Sequence, residues 1–90
     1  MEKRIKITVR GFVQGVGFRY FTYKKAKEYG LTGYVKNLFN GDVESEAQGT
    51  SGLVNEFLSD LKKGPSGSYV KSVIFEDIPL QLDEAEFKIK

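Results

Sequence analysis

The stretch of this chain whose residue types and spacing are suited to chemistry is Gly11-Phe12-Val13-Gln14-Gly15-Val16-Gly17-Phe18-Arg19. Gly15 and Gly17 allow backbone conformations that other residues resist, so successive N–H groups can turn toward one point. A helix starting at Phe18 adds N–H donors without intrahelical partners and the positive end of the helix dipole. Together these make a cradle for a tetrahedral anion such as phosphate. Arg19, in the first turn, brings a guanidinium fork able to grip two phosphoryl oxygens. The same spacing also describes an ordinary tight turn with a surface arginine, and glycine placement alone does not choose between the two. Two familiar phosphate loops do not fit: Gly15-Val16-Gly17 lacks the third glycine of a dinucleotide loop, and no Gly-Lys-Ser/Thr follows it.

Composition narrows the chemistry further. There is no cysteine and no histidine among the 90 residues, which removes thiolate nucleophiles, disulfides, imidazole bases and the commonest transition-metal ligands. No metal or other cofactor is expected. Fourteen basic and twelve acidic residues give a net charge of +2, with the signs interspersed, a balance that suits a small anionic ligand without implying nucleic acid. No apolar run approaches the ~18 residues of a membrane span, and the opening residues do not read as a signal peptide. A cytoplasmic, monomeric protein of one domain over residues 1–90 is the expectation.

The elements that must position the glycine segment follow from periodicity. Ile5, Ile7 and Val9 alternate with Lys6, Thr8 and Arg10, predicting a half-buried strand from about Lys3 to Phe12. From Phe18 the period changes: Phe18, Thr22, Ala26 and Tyr29, with Phe21 beside them, share one helix face that ends at Gly30. Thr32–Asn37 and Asp42–Gln48 read as strands joined through Asn40-Gly41, a strong hairpin signal. Leu53, Val54, Phe57, Leu58 and Leu61 form the face of a second helix, with cap candidates in 49–52 and a stop at Gly64-Pro65. Val70–Ile78 is a fourth strand, and Phe87 and Ile89 mark a short closing one. The order βαββαβ predicts an α+β, ferredoxin-like split βαβ sandwich: an antiparallel sheet with two helices on one face.

The nine-residue string is more specific than its glycines. It closely resembles the signature of the acylphosphatase family, Gly-x-Val-Gln-Gly-Val-Gly-Phe-Arg. A second family signature, Gly-(Trp/Tyr)-Val-x-Asn, is matched by Gly33-Tyr34-Val35-Lys36-Asn37. Asn40-Gly41-Asp42-Val43-Glu44 is similar to the family's hairpin, and Gly64-Pro65 with Val70 and Val73 to its later segment. Departures are mild: Tyr34 stands where tryptophan is frequent and Ser68 where a small alanine is usual. The resemblance implies the same split βαβ sandwich and an enzyme that hydrolyses acyl phosphates to a carboxylate and inorganic phosphate. It implies that Arg19 binds phosphate with the backbone amides of Gly15, Val16, Gly17, Phe18 and Arg19, and that Asn37 orients the attacking water. Gln14 could brace the loop, without a catalytic role. Inorganic phosphate, as product, is an expected competitive inhibitor.

Such a reaction is compatible with the missing residue types. An acyl phosphate releases a carboxylate whose conjugate acid has a pKa of about 4, so the leaving group needs no general acid. Phosphoryl transfer passes through a loose transition state with charge spread over equatorial oxygens, which asks chiefly for positive donors and a water held in line. Two other classes are open. One is a non-hydrolytic acyl-phosphate or carbamoyl-phosphate binding module, since the same signature leads larger carbamoyl-transfer proteins that mature hydrogenases. The other is a nucleic-acid adaptor using Lys24, Lys25 and Lys27 beside Tyr20, Tyr23 and Tyr29. The first strand lacks the aromatic residues that RNA-recognition modules stack on bases, so a solvated helix face is expected there, and no nucleic-acid or membrane partner. Glu44 with Glu46, and Asp83-Glu84 with Glu86, read as solvated carboxylates without calcium-loop spacing.

Overall fold

Residues 1–90 are described by a computed structural model. The alternating segment at the start forms β1 (Glu2–Phe12), followed by α1 (Phe18–Glu28), β2 (Thr32–Asn37), β3 (Val43–Thr50), α2 (Ser51–Lys63), β4 (Tyr69–Ile78) and the short β5 (Phe87–Ile89). The strands make one sheet in the order β4-β1-β3-β2-β5. The four long strands pair antiparallel, as the sequence predicts. β5 adds a parallel neighbour to β2, making the sheet mixed. The split βαβ sandwich is thereby realised, with both helices over one face.

That face is the apolar half of the alternation. Ile5, Ile7 and Val9 of β1, Val35 of β2 and Val43 and Ala47 of β3 meet Phe18 and Ala26 of α1 and Val54, Phe57, Leu58 and Leu61 of α2. Burying a side chain of this size is worth roughly 1.5–3 kcal/mol, and the helices are held by that surface more than by their own ends. α1 closes through Gly30, whose φ of 67° lets Leu31 donate its N–H back to the Ala26 carbonyl at 2.9 Å, the bond pattern of a left-handed terminal residue. α2 starts differently from expectation: no hydroxyl in 49–52 caps it. Instead the Ser51 N–H donates to the Met1 carbonyl at 2.8 Å, tying the helix start to the chain's first residue.

The other sheet face carries charge, and there one expectation is corrected. Glu44 and Glu46 are not solvated. Their side chains are 13% and 19% exposed, because cross-strand cations and the segment after β4 cover them. The Arg4 guanidinium, 2% exposed, reaches Glu46 at 2.9 Å and Glu84 at 2.7 Å. Lys6 and Lys36 approach Glu44 at 3.8 and 3.7 Å. Burial opposes the charge on Arg4, yet its hydrogen bonds to Glu84 and Glu46 outweigh that and hold its pKa above the ordinary value. The Tyr34 hydroxyl donates toward Glu44 at 2.6 Å and stands 3.1 Å from Glu46. Burial, and then these carboxylates, push the Tyr34 phenol well above its usual range.

Gly33 is the position where this sheet least tolerates a side chain. Its φ is 141°, and a Cβ there would collide with the Glu46 carbonyl on β3. Strained backbone and overpacking each cost roughly 1–3 kcal/mol, so Gly33→Ala is expected to destabilise the fold by about 2–4 kcal/mol. Urea unfolding followed by circular dichroism checks this as a lowered midpoint.

Candidate active site

The chain direction of the strands brings the glycine segment to the end of β2. β1 and β2 both run antiparallel to β3, so they are parallel to each other, and Val9 and Asn37 both lie opposite Val43. The segment leaving β1 and the residue ending β2 therefore meet at one end of the sheet. β5 is parallel to β2, with Ile89 beside Val35, and delivers Ile89 and Lys90 to that same end. An open cleft of about 260 Å³ lies there, lined by Val13, Gly15, Gly17, Phe18, Arg19, Tyr20, Asn37 and Ile89. Of the residues singled out in the sequence, Gly15, Gly17, Phe18, Arg19 and Asn37 come together on its wall. Val16 does not line it; its side chain packs against the core.

The loop is anchored from below and open above. Val13 and Phe18 are both 1% exposed, so the two ends of the glycine segment are pinned by burial. Between them Gly15 and Gly17 take φ values of 75° and 77°, the left-handed region where a side chain is strained. Gly17 is the residue before α1, with no side chain capping the helix and no acidic residue in its first turn. None of the main-chain N–H groups of Gly15, Val16, Gly17, Phe18 or Arg19 donates a hydrogen bond within the chain. Phe21 is the first whose N–H finds a partner, the Gly17 carbonyl at 2.9 Å. These unbonded donors and an unneutralised helix start adjoin the cleft that Gly15, Gly17, Phe18 and Arg19 line, an arrangement suited to a tetrahedral anion.

Arg19 and Asn37 complete the wall. One Nη of Arg19 donates to the main-chain carbonyl of Lys90 at 3.0 Å, which orients the guanidinium and leaves its other N–H groups free for a ligand. Asn37 Oδ1 is buried and accepts no hydrogen bond. A buried acceptor without a partner costs about 1–3 kcal/mol. Gln14 braces the loop as expected: its Nε2 donates to the Leu38 carbonyl at 2.7 Å and the Asp42 carbonyl at 2.9 Å.

Some partners were not visible beforehand. Lys90 enters through the parallel β2–β5 pairing, and the alternation of Phe87 and Ile89 was its only signal. Tyr20 and Ile89 line the cleft without any motif marking them. The basic run does not join the site. Lys25 instead approaches Glu28 and Asp60 at 4.0 Å each, and the Tyr29 hydroxyl bonded to Asp60 at 2.5 Å has its pKa pushed up to about 12.

Known proteins resemble this chain over nearly its whole length. The profile of the acylphosphatase family matches residues 5–89. An acylphosphatase of Chlorobaculum tepidum is 46% identical over 88 residues, covering 98% of this chain and 96% of that protein. The solved structure of an acylphosphatase from Coxiella burnetii superposes with a TM-score of 0.94 at 42% identity, covering 99% of this chain and 93% of that one. The acylphosphatase of Bacillus subtilis gives a TM-score of 0.94 at 34% identity, covering 100% and 99%.

An anion received by these donors stabilises the folded chain. At 100 times its dissociation constant, inorganic phosphate is expected to add about 2.7 kcal/mol. A calorimetric melt should rise accordingly, with sodium chloride of equal ionic strength giving no such rise and Arg19→Ala abolishing it.

Proposed function

The chain belongs to the acylphosphatase family, hydrolases that act on acyl phosphates, and on that premise we propose that Arg19 and the Gly15–Arg19 amides hold the phosphoryl group while Asn37 holds the attacking water. The observation that carries this reading is that Asn37 shares the wall of one cleft with Arg19 and the glycine loop, with its Oδ1 left without a partner in the chain. The loop amides and the guanidinium meet the three equatorial oxygens, where negative charge spreads in the transition state. Asn37 Oδ1 accepts a hydrogen bond from the water and aims its lone pair at phosphorus. The P–O bond to the acyl group breaks as the new P–O bond forms, and the carboxylate leaves with the electron pair. The water's proton passes to a phosphoryl oxygen, so the products are a carboxylate and inorganic phosphate.

No group on the protein has to change protonation state. The leaving carboxylate departs unprotonated because its conjugate acid has a pKa of about 4. A phosphate monoester, whose alkoxide must be protonated, is left almost untouched by this equipment. The chain carries no cysteine or histidine for a competing nucleophile, and no helix is long and apolar enough to cross a membrane. We assign it to the cytoplasm as a single-domain monomer whose product, inorganic phosphate, inhibits by occupying the same cradle.

Release of phosphate from benzoyl phosphate, with p-nitrophenyl phosphate as control, tests the assignment. The wild type should turn over the first and not the second, with a chelator leaving the rate unchanged. Arg19→Gln should abolish both turnover and inhibition by phosphate. Asn37→Ala should lower kcat by about 100-fold or more while the phosphate inhibition constant stays within threefold. Equal loss of both in Asn37→Ala would contradict a water-holding role.

A further inference from the structure

The phosphate cradle and Asn37 sit on different segments, and an in-line displacement depends on how the two are placed relative to each other. Only the Gln14 side chain joins those segments by hydrogen bonds. Its amide nitrogen has two N–H donors, one given to the carbonyl of Leu38, next to Asn37, and the other to that of Asp42. No other hydrogen bond connects residues 13–17 with residues 37–42.

The connection between β2 and β3 does not need Gln14 for its own shape. The Leu38 N–H donates to the Asp42 carbonyl at 2.8 Å, and the Gly41 N–H to the Leu38 carbonyl at 3.1 Å. Asn40 and Asp42 bond each other through the Asp42 N–H at 3.0 Å and the Asn40 amide at 3.1 Å. Arg10 adds a bond to the Asp42 carboxylate at 3.3 Å. With the turn already closed by these bonds, the two from Gln14 serve to locate it against the loop. The glycine loop has no comparable internal ties, since its N–H groups are uncommitted.

We propose that Gln14 is a positioning residue for hydrolysis, one that sets the separation between the phosphate cradle and the water held by Asn37. The inference rests on the water-holding role of Asn37. Gln14 touches neither the phosphoryl group nor the water, and it acts by fixing the end of β2 relative to the loop that binds phosphate. Ground-state phosphate, held by the loop and Arg19 alone, is insensitive to that separation. The five-coordinate transition state, which spans both segments, is not.

Gln14→Met keeps the length of the side chain and removes both donors. Its melting midpoint should show that the variant is folded. Its kcat on benzoyl phosphate is expected to fall 10- to 100-fold, with the phosphate inhibition constant within threefold of wild type. Vanadate, whose trigonal-bipyramidal form places an apical oxygen where the water would stand, supplies an equilibrium readout. Its affinity should drop at least tenfold in Gln14→Met. Titration calorimetry of Asn37→Ala and of the double variant closes the cycle: with Asn37 absent, Gln14→Met should change vanadate affinity less than twofold. Unchanged kcat, or parallel losses of phosphate and vanadate affinity, would overturn the positioning role. So would an effect of Gln14→Met that persists at full size without Asn37. If Asn37→Ala itself keeps full kcat, it is the water-holding role that fails. If Asn37→Ala behaves as expected and Gln14→Met does not, only the role of Gln14 fails.

Discussion

Uncommitted hydrogen-bond donors are the constraint around which this small protein is organised. The main-chain N–H groups from Gly15 to Arg19 make no hydrogen bond within the chain, and the helix they open has neither a capping side chain nor an acidic first turn. In most helices those groups are satisfied locally. Here they are not, and the loop must keep its shape without the bonds that usually hold a turn. Burial supplies the substitute: Val13 and Phe18 lock the two ends into the core, while Gly15 and Gly17 take up left-handed backbone that would strain any other residue.

The sheet solves the companion problem of bringing distant residues to those donors. With β3 between them and antiparallel to both, β1 and β2 finish at the same end of the sheet, and β5, parallel to β2, finishes there too. Asn37, Arg19 and the Lys90 carbonyl are far apart in sequence and meet for this reason alone. Neither residue proposed to act on substrate is asked to exchange a proton, so catalysis of this kind is a matter of placement. The buried Asn37 oxygen has no partner within the chain, in keeping with the proposed water-holding role.

Much of this was legible in the sequence, because the relevant signals were local. The alternation of Ile5, Ile7 and Val9 marks a half-buried strand whatever surrounds it, and Gly30 ends α1 by a backbone conformation that depends on one residue. The two signatures single out Arg19 and Asn37, which the fold brings to one cleft. What escaped were contacts of large sequence separation. Period-two patterning puts Glu44 and Glu46 on the face away from the helices but says nothing of what covers that face. Arg4 and the distant Glu84 do so. Asp42 looked like the first residue of a strand, yet its bonds to Asn40 and Arg10 place it in the turn. The parallel pairing of β5, and with it the Lys90 carbonyl on Arg19, depends on a three-residue strand too short to declare its partner.

The receptor character of the loop can be observed directly by titrating ¹⁵N-labelled protein with inorganic phosphate and following amide resonances. The amides of Gly15, Val16, Gly17, Phe18 and Arg19 should shift most, and together, along one saturation curve, with the Asn37 side-chain amide following them. Shifts concentrated on the Lys24, Lys25 and Lys27 face, or loop amides unmoved at saturating phosphate, would contradict the claim that these donors form the anion site.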